Sequence, residues 1–190
     1  MTTSSGQTYL AIPGPSVIPE EVLRSMHRSA PNIYEGELIE ITKSLIPDLN
    51  YVARSSGNVA IYIANGHGIW EAALSNIATA NDHILVVATG RFAHGWAEMA
   101  RKLGIKVDVV DFGKNRALDI EVLAKKLKSE PKTKYKAILM THVDTSTSVK
   151  NDIFNVRKKL DEINCSALLA VDCIASLACD KFEMDEWGVD

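Results

Sequence analysis

Cysteine is scarce, and its placement excludes several chemistries. The three cysteines, Cys165, Cys173 and Cys179, form no C-x-x-C pair, and their odd number fits no disulfide scaffold. They read as reduced thiols of a cytoplasmic protein. Neither sign of charge dominates: 21 Lys and Arg against 24 Asp and Glu leave a net charge of −3, which gives no strong attraction to nucleic acid or to an anionic membrane. No apolar run reaches the roughly 20 residues of a membrane span. The polar start, Met1 to Thr8, lacks the apolar segment of a signal peptide. Neither a G-x-G-x-x-G nor a Walker sequence is present, which weighs against nucleotide binding. There is no internal repeat, low-complexity tract or linker.

What is present is a core-forming chain. At 190 residues and 46% apolar composition, it amounts to one domain, or one domain and part of another. Pro13-Gly14-Pro15 reads as a rigid loop, and Pro19-Glu20-Glu21 opens a helix to about His27 with acids at its positive end. A second helix starts near Glu37, with Leu38, Ile41 and Leu45 on one face, and Pro47 is expected to kink or end it. Beyond Ser55-Ser56-Gly57 the pattern alternates. Strands are expected at Val59 to Ile63, Ile84 to Ala88, Ile105 to Val110, Ala137 to Met140 and Ala167 to Val171. Helices are expected at Ile69 to Ile77, Phe92 to Leu103 with Gly104 as its C-terminal stop, from Asp119 to about Lys128, and from Asn151-Asp152 to about Asn164. Such alternation implies βαβ crossovers: an α/β fold, a three-layer α/β/α sandwich with a mostly parallel sheet. We divide it into an N-terminal arm with helices, 1–54, and a large domain, 55–190.

Ligands of such sheets bind outside the carboxyl ends of the strands, so the residues just after each strand matter most. Asn65-Gly66-His67-Gly68 feeds a helix N-terminus, where free N–H groups and the dipole favour an anion such as phosphate and Gly66 allows close backbone approach; the plainer reading is a glycine turn. Asp172 ends an apolar strand, where a carboxylate needs a partner. It can cap the next segment, form a structural ion pair, or hold a protonated pyridine nitrogen. A metal is the weaker choice, with no second ligand at suitable spacing. Phe92 can stack on a flat ring or simply fill core. The hydroxyl-rich stretch Thr141 to Ser148 offers donors and acceptors, or caps the following helix. His94, Trp96 and Trp187 read as structural. A flat, phosphorylated, basic heterocycle would use anion turn, aromatic, hydroxyl loop and acid together.

Six motifs then fall in one order: Ile12-Pro13-Gly14-Pro15-Ser16, Gly66-His67 with Glu71-Ala72-Ala73, Thr89-Gly90-Arg91-Phe92, His142-x-Asp144-Thr145-Ser146-Thr147, Val171-Asp172 with Ala175-Ser176-Leu177, and Met184-Asp185-x-Trp187-Gly188-Val189-Asp190. In these the chain resembles the class V aminotransferases of pyridoxal-phosphate (PLP) fold type I, within them the alanine–glyoxylate and serine–glyoxylate aminotransferases. The resemblance implies part of that fold's large domain, PLP as cofactor, small amino acid and 2-oxo acid substrates, and a homodimer. It implies that Asn65, Gly66 and His67 hold the phosphate, Phe92 stacks on the ring, Thr145 bonds near the ring hydroxyl, Asp172 pairs with the ring nitrogen, and Pro13, Gly14 and Pro15 lie near the substrate carboxylate. The chain departs from the pattern at Asn65 (often Ser or Thr), Phe92 (often Trp), Ser148 (usually Gly) and Ala178-Cys179 (commonly Gly-Gly). The family's Schiff-base lysine follows the position of Asp190, so the expectation is an N-terminal fragment with no catalytic residue of its own and no turnover. Two other classes remain open at this stage: a related PLP lyase such as a cysteine desulfurase, and a non-catalytic binding or assembly module.

Overall fold

The computed structural model describes residues 10–190. The described chain forms two compact units, the first ending at Leu45 and the second spanning Ile46–Asp190. In the first, α1 (Glu20–Met26) starts after Pro19 and carries Glu20 and Glu21 in its opening turn, as the helix dipole favours. Pro13, Gly14 and Pro15 are exposed in the loop before it. The helix α2 (Glu37–Ala53) crosses the boundary between the units, and Pro47 lies inside it rather than ending it.

The second unit is built on α3 (Gly66–Ile77), β1 (His83–Ala88), α4 (Arg91–Lys102), β2 (Lys106–Asp111), α5 (Ile120–Lys128), β3 (Ala137–Thr141), the short pair β4 (Val143–Asp144) and β5 (Val149–Lys150), α6 (Ile153–Glu162) and β6 (Leu168–Asp172). Four strands form one parallel sheet in the order β2-β1-β3-β6. Alternate strand residues face opposite helix layers, as the two-residue period of a strand requires. Ile84, Val86, Ala137 and Leu139 pack with α3 and α4; Leu85, Val87, Ile138 and Met140 pack with α5 and α6. The three-layer α/β/α architecture expected from the alternation is therefore the observed one.

Local signals explain the helix ends. Asp119 accepts the Glu121 and Val122 N–H groups and so caps α5. Gly104, at φ +80°, stops the chain after α4, a conformation that glycine adopts without a side-chain clash. Ala93, Ala97 and Ala100 let α4 lie close on the sheet.

One expected strand is not formed. Residues Val59 to Ile63 are irregular, and α3 begins at Gly66 rather than Ile69. An apolar extended run becomes a strand only by hydrogen-bonding to a neighbour. Among the described residues no strand pairs with this segment, and Ile61, Tyr62 and Ile63 are at least half exposed. The β4–β5 hairpin, in turn, lies within a stretch expected to be a loop.

Candidate cofactor site

Three chain segments meet at one end of the second unit. Asn65 precedes α3 in extended conformation, and its Oδ1 accepts the Gly68 N–H at 3.2 Å. That cap leaves the N–H groups of Gly66 and His67 in the first turn, which no residue of the helix itself can satisfy. A Cβ placed on Gly66 would stand 3.6 Å from Ile174 Cδ1, so the helix start faces the segment just after Asp172. Gly66, Trp70, Asp172 and Ile174 line one hollow of about 360 Å³.

Asp172 is the last residue of β6, paired in register with Thr141 of β3. Its Oδ2 accepts the indole N–H of Trp70 at 3.0 Å, and its Oδ1 accepts the Ile174 N–H at 2.9 Å. Both partners are uncharged; the Ile174 contact is the cap on the next segment that the position allowed, and among the described residues Asp172 forms no structural ion pair. The Cys173 thiol beside it is pushed up to about 11, first by burial and then by the Asp172 charge.

The aromatic side chains form a cluster. The His67 ring lies edge-on to Trp70 with centroids 4.6 Å apart and is tilted against Phe92 at 6.3 Å. Phe92 is half-buried in the first turn of α4, with the Arg91 guanidinium 5.4 Å from its ring centre. Trp96, expected to be merely structural, stacks on Trp70 at 5.8 Å, and a Cβ on Gly95 would come within 3.3 Å of the Trp70 ring.

The crevice between the carboxyl ends of β1 and β3, where the strand order reverses, is the usual ligand position in such sheets. Here the turn after β4 is hydrogen-bonded to the start of α4. The buried Asp144 carboxylate accepts the Phe92 and Ala93 N–H groups at 3.1 and 3.2 Å, and Ser146 Oγ accepts the Arg91 N–H at 2.9 Å. Gly90 offers no side-chain cap to α4, and a Cβ there would collide with the Asp144 carboxylate. The buried Asn151 joins Thr89, Thr141 and Leu118 by three hydrogen bonds. Thr145 sits half-buried in the turn between β4 and β5.

The second unit thus brings Gly66 and Asp172 to one hollow, while His67 and Phe92 meet the Trp70 ring rather than the lining of that hollow, and Asn65 caps the helix behind. An exposed helix start binds anions, and an oriented carboxylate binds a cationic N–H. Sequence reasoning missed Trp70, Asp144 and Ile174 as parts of the arrangement. Trp70 had a visible signal, since it lies three residues after His67 and so shares its helix face. Asp144 stood in one of the six motifs without a role and Ile174 had no signal, because their contacts span 52 and 108 residues of chain respectively.

The family model described as aminotransferase class-V matches residues 51–190. The chain belongs to that family. As a class-V aminotransferase chain it is 37% identical over 186 residues to the serine–glyoxylate aminotransferase of Arabidopsis thaliana, covering 97% of this chain and 46% of that protein. It is 34% identical to the serine–glyoxylate aminotransferase of Methylorubrum extorquens, over 100% of this chain and 47% of that one. The crystal structure of an alanine–glyoxylate aminotransferase from Nostoc sp. shares the fold with a TM-score of 0.88 at 23% identity, over 100% of this chain and 50% of that one. This class-V aminotransferase chain therefore spans about half the length of the curated relatives it matches.

Proposed function

We propose that the chain is the cofactor-holding part of a PLP-dependent aminotransferase that moves an amino group from serine or alanine to glyoxylate. The observation that carries this reading is the meeting of Asp172 and the α3 start at one hollow, in a chain of this family. The residues suit the group. The first-turn N–H groups of Gly66 and His67 are donors for a phosphate, and the absence of a side chain at position 66 leaves the space toward Ile174 open.

Pyridoxal phosphate, when bound, supplies an electron-withdrawing ring that stabilises negative charge at the amino acid's α-carbon. Asp172 holds the proton on the ring nitrogen, which keeps that ring electron-poor. Gly66 and His67 bind the phosphate, while Asn65 Oδ1 fixes the turn that presents them. Phe92 offers a ring face for stacking, and Thr145 a hydroxyl. Pro13, Gly14 and Pro15 are assigned to the substrate carboxylate on the family resemblance alone.

The relatives at 37% and 34% identity are serine–glyoxylate aminotransferases, which supports serine as the donor. A cytoplasmic location and a homodimer belong to the same proposal. Among the described residues no helix is long and apolar enough to cross a membrane. Titration of the chain with pyridoxal and pyridoxamine phosphate tests the cofactor reading. Saturable binding that Asp172→Ala weakens supports it, and binding no tighter than that of inorganic phosphate defeats it. Glyoxylate-dependent consumption of serine, alanine or aspartate by the intact gene product tests the donor, and sulfide release from cysteine would point to a desulfurase instead.

A further inference from the structure

The indole of Trp70 meets three aromatic rings and makes one hydrogen bond. It is 4% exposed, stacked on Trp96 with ring planes 13° apart, met edge-on by His67, and approached by Phe92 at 6.2 Å and 72°. Its one polar atom, Nε1, points at Asp172 Oδ2. Simple satisfaction of a buried N–H does not account for this. The neighbouring Trp96 Nε1 is buried with no acceptor among the described residues, so this fold tolerates an unpaired indole.

We propose that Trp70 is a positioning residue for the Asp172 carboxylate, and that an uncharged donor is the point of the arrangement. A carboxylate oxygen has two acceptor directions. Trp70 takes one on Oδ2 and the Ile174 N–H takes one on Oδ1, which fixes the plane of the group and leaves one direction on each oxygen. An arginine or lysine in place of Trp70 would orient the carboxylate equally well but would offset its charge. The indole orients it and leaves the full negative charge for a cationic ring nitrogen. Because the same indole touches His67, it also ties the acid to the anion-binding start of α3. The inference rests on the cofactor reading given above.

The experiment compares wild type with Trp70→Phe, which keeps an aromatic ring and removes the N–H. The probes are pyridoxine 5′-phosphate and its deaza analogue, which has carbon at the ring-nitrogen position. Wild type is expected to prefer the nitrogen-containing probe by about tenfold, and Trp70→Phe to bring that ratio close to one, with affinity for the deaza analogue unchanged. A parallel loss for both probes, with the ratio preserved, means Trp70 only supports the fold, and overturns the proposal while leaving the cofactor reading intact. No saturable binding of either probe to wild type overturns the cofactor reading and this proposal together.

Should Trp70→Phe fail to fold, wild type labelled with ¹⁵N at its indoles gives a second measurement. The Trp70 Nε1–H resonance, assigned by its response to Asp172→Asn, is expected to move with pyridoxine phosphate and not with the deaza analogue. Equal movement with both, or none with either, overturns the proposal.

Discussion

Asp144 caps the helix on which Phe92 stands: its Oδ2 accepts the Phe92 N–H at 3.1 Å and the Ala93 N–H at 3.2 Å, while its Oδ1 accepts from the backbone and hydroxyl of Ser146. The start of α4 is thus held by a residue from a different βαβ unit. Removing the carboxylate leaves the buried Ala93 N–H and the partly buried Phe92 and Ser146 donors unpaired. Asp144→Ala is expected to cost about 3 kcal/mol in urea unfolding, and Asp144→Asn less, since one acceptor oxygen remains. Gly90→Ala should damage the same cap from the other side, because the new methyl would overlap the carboxylate.

The cap on α3 is local and weaker. Asn65 satisfies one N–H, that of Gly68, at an exposed position. Asn65→Ala is expected to lower stability by about 1 kcal/mol. It should also loosen phosphate binding at the first turn, measurable as a weaker competition by inorganic phosphate for pyridoxine phosphate.

Two positions where the family usually has glycine keep a glycine-like backbone. Ser148 has φ +58° and Ala178 φ +63°, in the left-handed region that side chains disfavour. Ser148→Gly and Ala178→Gly are each expected to raise stability by up to about 1 kcal/mol, the relief of strain being partly offset by the greater freedom of glycine in the unfolded chain. A lower denaturation midpoint for both variants would contradict this account.

His142 gives a pH-dependent stability. It is 1% exposed, its Nδ1 meets Ser176 Oγ at 2.9 Å, and its ring lies against Phe182 and Trp187. Burial first, then the positive charge of Lys150, lowers its pKa below the ordinary 6.5, against weaker opposing pulls from Asp180 and Asp152. The unfolded chain therefore binds the proton more readily. The stability contributed by the neutral ring is complete above about pH 6.5 and is lost as pH falls below it toward the folded-state value. Unfolding measured at pH 7.5 and 5.5 should show this loss in wild type and a smaller loss in His142→Gln.

Thiol chemistry should follow exposure and charge. With its pKa at about 11, Cys173 carries little thiolate at pH 8, whereas Cys179 is exposed. Alkylation followed by peptide mass mapping is expected to mark Cys179 well before Cys173. Bound pyridoxine phosphate should slow Cys173 further by covering the hollow that it lines.

The sequence by itself determined whatever depends on near neighbours. The strand periods of β1, β2, β3 and β6, the helix periods of α3 to α6, the Asp119 cap and the Gly104 stop all rest on interactions within a few residues, and so did the order of strands and helices that makes a parallel three-layer fold. The motif residues Gly66, His67, Phe92 and Asp172 were also visible, because each follows a recognisable apolar run or turn. Tertiary structure alone decided the rest. Val59 to Ile63 has every local mark of a strand and is not one, since a strand needs a hydrogen-bonded neighbour that the chain's own pattern does not supply. The capping of α4 by Asp144 and the grip of Trp70 on Asp172 join residues 52 and 102 positions apart. Hydrogen bonds of that kind form only after the sheet has brought the ends of its strands to one edge.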